Sequence, residues 1–306
     1  MADLRAFALG AVALAALSGA AAAADLLPPP PAYEPPPPIS APEMGGWYIR
    51  GDVGVGVNNV AGAQTNPTGL STLPAGDSGS ESWYNNAISD AALFDVGVGY
   101  QVNNWFRADV TGELRGSAGY SGLQVINIAA GPDAGYQAAD FYKGNLSSVL
   151  GLVNAYADLG SWYGVTPYVG AGVGVSFNHF SGASDQGQIG AAGGLGPVSP
   201  SGGVFGASTT TNLAWALMAG FDYSINHNLK LELGYRYLDY GKFRSGGSSC
   251  LSGNGAAGSF NVANCGGAFT VASKELTSND FRLGLRYYFD SPAPLPPPEA
   301  PLVRKY

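Results

Sequence analysis

The chain has 306 residues, a formal charge of −8, and 12% charged side chains, about half the share usual in soluble domains. Its 46 Gly and 21 Pro accompany 46% hydrophobic residues, which is not the polar profile of a disordered chain. No basic stripe is present to neutralise phosphates, so nucleic acid is excluded as a partner. Two His (His179, His227) and two Cys (Cys250, Cys265) starve most metal sites and nucleophile–base pairs, so neither cofactor nor catalysis is expected.

Residues 6–24 (AFALGAVALAALSGAAAAA) are the only long apolar run. They follow Arg5 and end in small residues before Asp25, the pattern of a cleaved signal peptide over 1–24. A run that is mostly Ala is a weak lipid spanner, which disfavours a membrane anchor. Residues 25–45 contain PPPPAYEPPPP and residues 291–306 contain PAPLPPPEAP, so both predict extended proline-rich segments without a core. The folded domain is expected over 46–290.

Within it the hydrophobic period is 2. In 47–57, Ile49, Val53, Val55 and Val57 oppose Arg50, Asp52, Gly54 and Gly56. In 94–102, Phe94, Val96, Val98 and Tyr100 oppose Asp95, Gly97, Gly99 and Gln101. In 106–115, Val110 and Leu114 oppose Arg107, Asp109, Glu113 and Arg115. The stretch 146–158 is ambiguous, because Leu150 and Leu152 share a parity with Asn154 and Asp158. The pattern resumes at 167–177, 213–223, 229–239 and 281–289. These add Asp222, Glu232, Arg236, Arg282 and Arg286 to the polar face. Eight strands result. They are joined by three short turns (103–104, 159–164, 225–228) and four long Gly/Ser/Asn-rich segments (58–91, 117–144, 178–211, 240–276) expected to be loops.

Alternation alone does not say which face meets water. Here the polar face balances six acids (Asp52, Asp95, Asp109, Glu113, Asp222, Glu232) against six Arg (Arg50, Arg107, Arg115, Arg236, Arg282, Arg286), with Gly in many remaining places. That suits a narrow, ion-paired interior better than a solvated surface. The nearly charge-free apolar face then meets lipid, where a midplane Arg or Lys costs ~2–4 kcal/mol. Closure is required, because open strand edges cannot be hydrated in hydrocarbon. The expected fold is an all-β, eight-stranded antiparallel up-and-down transmembrane barrel. Its aromatic girdles would come from Trp47, Trp105, Tyr223, Tyr235, Tyr237, Tyr287 and Phe289. The glycines of Gly170-Ala-Gly-Val-Gly-Val175 superficially suit a phosphate loop. They alternate within a strand, however, and predict relief of crowding in the lumen.

Three segments carry a family resemblance: Gly46-Trp-Tyr-Ile-Arg-Gly-Asp-Val-Gly, Thr166-Pro-Tyr-Val-Gly-Ala-Gly-Val-Gly, and Gly284-Leu-Arg-Tyr-Tyr-Phe289. Over about residues 46–289 the chain resembles the small outer-membrane barrels of Gram-negative bacteria. These include the OmpA-type and opacity-type barrels and the alphaproteobacterial porin-family surface antigens. The resemblance implies four extracellular loops, three periplasmic turns, and an outer-membrane location among lipid and lipopolysaccharide. It also implies a last strand whose terminal aromatic, Phe289, is read by the insertion machinery. This chain departs from that pattern by continuing to Tyr306.

Export permits a Cys250–Cys265 disulfide, which would close the last long loop. His179 has Ser176 and Asp185 near it in sequence, but no hydrolase motif joins them. The reading is a non-enzymatic surface and structural protein that touches an extracellular ligand through its loops. The alternative is a narrow diffusion channel for small solutes.

Overall fold

A computed structural model describes residues 46–191, 199–250 and 269–289. The expected signal peptide, the proline-rich linker and the C-terminal tail lie outside these residues. Cys265 does too, and Cys250 is described only as the end of a strand, so the disulfide expectation also falls outside. No described helix is long and apolar enough to cross a membrane.

The strands are β1 (Trp47–Val60), β2 (Ala63–Asn66), β3 (Ser78–Ile88), β4 (Ala91–Gln101), β5 (Phe106–Ala130), β6 (Tyr136–Asp158) and β7 (Val165–Ala191). They continue with β8 (Ser199–Phe205), β9 (Ser208–Ser224), β10 (Leu229–Gly241), β11 (Ser248–Cys250), β12 (Thr270–Ser273) and β13 (Leu276–Tyr288). Eight of them close a ring in the order β7–β6–β5–β4–β1–β13–β10–β9 and back to β7, with every pairing antiparallel. Closure satisfies the backbone donors and acceptors of both would-be edges, as a hydrocarbon environment demands.

The long connections differ from expectation. β5 has 25 residues, β6 has 23 and β7 has 27, so much of segments 117–144 and 178–211 is strand. A band of lipid about 25 Å tall needs only ~10 tilted residues. The extra length builds a second storey above the ring. There β3 pairs with the upper half of β5, β8 with the upper half of β7, and β11 with β8. β2 and β12 form a separate two-stranded sheet.

The two storeys have opposite polarity, and β5 shows how. Up to Arg115, odd residues are buried and, except for Thr111, charged, and even residues such as Val110 and Leu114 are exposed. A bulge between Arg115 and Ala118 adds one residue and swaps the parity. Above it the even residues Ala118, Tyr120, Ile126 and Ile128 turn inward and are buried, while Gly119 and Ser121 face out. β7 makes the same shift around Gly182, whose φ of +60° suits glycine, opposite the Lys143/Asn145 step of β6. Below the bulges the wall is greasy outside and ionic inside. Above them the inside is mostly apolar, and the outside mixes Gly, Ser and Gln with the exposed Tyr84, Phe141 and Val204.

The upper core is aromatic. Phe180 stacks on Phe243 with centroids 4.2 Å apart, Tyr120 meets Phe243 edge-on at 5.1 Å, and Tyr142 packs near Phe205 and Trp83. Leu146, Leu150, Leu152, Ala214, Ala216 and Leu238 continue it downward to the ionic layer. This settles the ambiguous stretch: Leu150 and Leu152 point inward, opposite Glu113 and Thr111 of β5.

Candidate functional site

The lumen below the bulges holds two groups of paired charges. The first centres on Glu232. Its carboxylate accepts Arg50 (3.0 Å), Arg286 and the Tyr168 hydroxyl (2.6 Å), with Arg107 and Arg282 each at 3.9 Å. Around it Arg50 also reaches Asp52 (2.8 Å) and Asp109 (3.3 Å), and Arg282 reaches Asp95 (3.0 Å). Arg286 meets Asp222 at 2.8 Å, and Arg107 meets Asp158 at 3.1 Å. The Arg107 guanidinium also lies over the Tyr156 and Tyr168 rings at 4.3 and 4.7 Å.

The second group centres on Asp280, which accepts Arg115 at 2.7 Å and Arg236 at 2.6 Å; both Arg also bond Glu113. All twelve charged residues proposed from the sequence are buried in the lumen. Sequence reasoning missed Asp280, Asp158 and the Tyr48, Tyr156 and Tyr168 hydroxyls. Asp280 shares the parity of Arg282 and Arg286 and sits one residue before the alternating stretch 281–289. Parity would have found it.

The glycines make room for these side chains. A Cβ on Gly170 would lie 2.5 Å from Tyr156 Cδ1, and one on Gly99 would lie 2.3 Å from Tyr48 Cζ.

At the short-turn end the exposed aromatics are Trp47, Trp105, Tyr223, Tyr287 and Phe289, with Tyr100, Trp162 and Tyr163 beside them. Trp47 packs against Tyr100 at 5.3 Å, and Phe289 N donates to Trp47 O at 3.0 Å. Tyr237 pairs with Trp215 at 5.5 Å higher on the wall. Tyr235 is not at a strand end. It lies mid-strand in β10, against Phe281 at 5.7 Å, and donates to Asn279 Oδ1 at 2.7 Å.

His179, Ser176 and Asp185 do not form a catalytic group. His179 points outward and bonds Thr209 (3.0 Å), whereas Ser176 points inward and donates to Tyr240 O (2.7 Å). Among the described residues no cluster of three His, Cys, Asp or Glu could hold a metal. In the upper storey, burial pushes the Asp185 carboxyl above its ordinary range, and its Oδ1 has no hydrogen-bond partner among the described residues.

Comparisons with known proteins fit this geometry. A family model described as an outer membrane protein beta-barrel domain matches residues 9–289. The outer membrane protein PagN of Salmonella typhimurium is 28% identical over 261 residues, covering 80% of this chain and 90% of its own. An adhesin candidate of Rickettsia bellii is 29% identical over 215 residues, covering 60% of this chain and 84% of its own. The crystal structure of OprG from Pseudomonas aeruginosa covers 81% of this chain and 97% of its own, at 11% identity and a TM-score of 0.45. With its closed ring, greasy outer wall and family match, the chain belongs to the outer-membrane β-barrel family and resides in the outer membrane of Gram-negative bacteria.

Proposed function

We propose that this protein is a non-enzymatic surface protein whose work is done by the upper storey, through contact or adhesion outside the cell and mechanical support of the envelope. The observation that carries the reading is the storey itself. Strands run well past what lipid requires and hold an aromatic core of their own, which makes a rigid platform for the segments between them. Loops on a rigid scaffold are a common place for recognition. Adhesin-named relatives favour the same reading.

The diffusion channel is disfavoured by the lumen. The Glu232 and Asp280 groups and the inward Leu150, Leu152 and Leu238 occupy the lumen below the platform, and an eight-stranded barrel leaves little more than room for side chains. Phe289 and the neighbouring rings would serve insertion and anchoring in the lipopolysaccharide-bearing membrane.

The test expresses the chain on a non-adherent Gram-negative host and measures attachment to epithelial cells. A shortened variant replaces 120–142 by a short turn and removes the matching tops of β3 and β7. Attachment by the full chain and its loss in the shortened barrel is the expected result. Equal attachment by both would move the function away from the upper storey.

A further inference from the structure

Every strand of the ring is paired on both sides, but β3 joins the sheet through β5 alone. Below it, β1 covers the same side of β4 as far as the Gly56–Ala91 pair. Above that point, among the described residues, no backbone group bonds the other side of Gly79–Tyr84. β2 and β12 also have one partner each but run for 4 residues, and β11 for 3, whereas β3 has 11. The 79–84 run is about 20 Å long. It is regular, because the register shift and the left-handed Asn85 (φ +50°) come after it. Natural sheets blunt such edges with Lys, Pro or a bulge. Residues 78–88, SGSESWYNNAI, contain neither Lys nor Pro, and the exposed Gly79 and Ser80 have little side chain to cover the backbone.

The surroundings of the edge define what can add to it. The sequence has no Lys, Arg or His from 51 to 106 or from 116 to 142. Asp77 and Asp90 flank β3, Glu81 lies within it, and Asp133 N donates to Asp77 Oδ1 at 3.1 Å. Lys143, two strands away on β6, is the one Lys or Arg on the upper parts of β3, β5 and β6. Glu81 turns inward, where its Oε1 accepts Trp83 Nε1 (2.8 Å) and Gln124 Nε2 (2.9 Å). On the outer face Tyr84, Leu123 and Phe141 stand side by side across β3, β5 and β6, with Tyr84 and Phe141 exposed. An added strand would therefore meet acid on its inner face and an apolar row on its outer one. Two copies joined through β3 would set these acids against each other, which disfavours a second copy as the occupant.

We propose that the outer edge of β3 takes up an extended basic peptide of a partner protein as one further strand. Main-chain bonds would run along 79–84, cationic side chains would lie beside Glu81 and the flanking Asp77 and Asp90, and apolar ones would extend the Tyr84 row. This names the kind of partner the upper storey holds and rests on that storey being the working part of the molecule.

The test mixes the full chain in nonionic micelles with a short fluorescent peptide of alternating lysine and valine. Two further probes are its glutamate–valine counterpart and the basic peptide with every amide N-methylated, which cannot donate main-chain bonds. Anisotropy reads binding, and hydrogen–deuterium exchange of the chain reads its place. The expected result is binding of the unmethylated basic peptide alone, with slower exchange in 78–88. In the Ser80→Lys, Asp90→Lys variant the basic peptide should bind about tenfold more weakly and the acidic one more tightly, a reversal that misfolding cannot produce. If that variant does not fold, the three peptides and the exchange map on the unaltered chain decide. Equal binding of the acidic or the methylated peptide, binding without slower exchange in 78–88, or no binding would each overturn the proposal. Slower exchange in 78–88 that grows with chain concentration alone would overturn it in favour of a second copy. Cell attachment without peptide binding would sink this proposal and leave the surface role standing.

Discussion

Glu232 shows how much a single side chain can carry in this barrel. It neutralises Arg50 and Arg286 and accepts the Tyr168 hydroxyl, all in a setting closed to water. Removing one partner of a buried pair leaves the other charge stranded, at about 3–5 kcal/mol. Glu232→Ala should therefore lower the unfolding free energy of the refolded barrel by that order, measured by urea titration of tryptophan fluorescence in micelles. A change below about 1 kcal/mol would mean that water enters the lumen and rehydrates the guanidinium groups. Gly170→Val addresses packing in place of charge. The added Cβ meets the Tyr156 ring and the Ala155 carbonyl, so a loss of about 1–3 kcal/mol is expected from overpacking. In the upper storey Asp185 has the opposite sign. Its carboxyl is raised in the fold by burial, so the folded state holds its proton to higher pH than the unfolded chain does. Stability should fall as pH climbs from the ordinary carboxylate range through the raised value. Asp185→Asn should raise the thermal midpoint at pH 7 and leave it nearly unchanged at pH 4. An unchanged midpoint at both pH values would show that the carboxylate is already solvated.

At the scale of elements, the parity swap explains both what the sequence revealed and what it hid. Seven of the eight membrane strands were legible because hydrocarbon requires an apolar outer face; 146–158 was ambiguous because Leu150 and Leu152 point inward. Val53, Val55, Leu283 and Leu285 announce their strands without help from any other part of the chain. The upper halves of β5 and β7 were not legible as strands, because Gly, Ser, Asn and Gln hold most of their outward positions, which is also the composition of loops. On β5 most apolar residues keep even numbers, from Val110 and Leu114 to Tyr120 and Ile126, with Leu123 and Val125 as odd-numbered exceptions. Only the bulge converts the second set from lipid-facing to core, and one unpaired residue has no compositional signature. Tyr235 was misplaced for a related reason: an aromatic on the outer wall does not declare its depth. Deleting Ser117 tests the bulge. Without the extra residue, Tyr120, Ile126 and Ile128 would face out and the storey would lose its core. The expected result is a barrel that still folds in micelles but whose 118–142 region becomes sensitive to protease added to intact cells. Undiminished protease resistance would mean that the strands slip and recover their register.

For the whole molecule, the ionic lumen and the aromatic cap act in series. Charges of both signs give the lower lumen no preference for one ion, and the buried Leu150, Leu152 and Leu238 add apolar bulk to it. In planar bilayers the purified protein should give no discrete openings. Steady conductance steps would restore the channel reading. The claim beneath all of this is that the outer wall changes solvent at the bulge. The most direct measurement places single nitroxide labels at outward positions 110, 114, 119 and 121 of a reconstituted chain whose two cysteines are replaced by serine. Their collision rates are then compared with oxygen, which favours lipid, and with a water-soluble nickel complex. Labels at 110 and 114 should be relaxed chiefly by oxygen and those at 119 and 121 chiefly by nickel; four labels with the same preference, in either direction, would contradict the two-storey account.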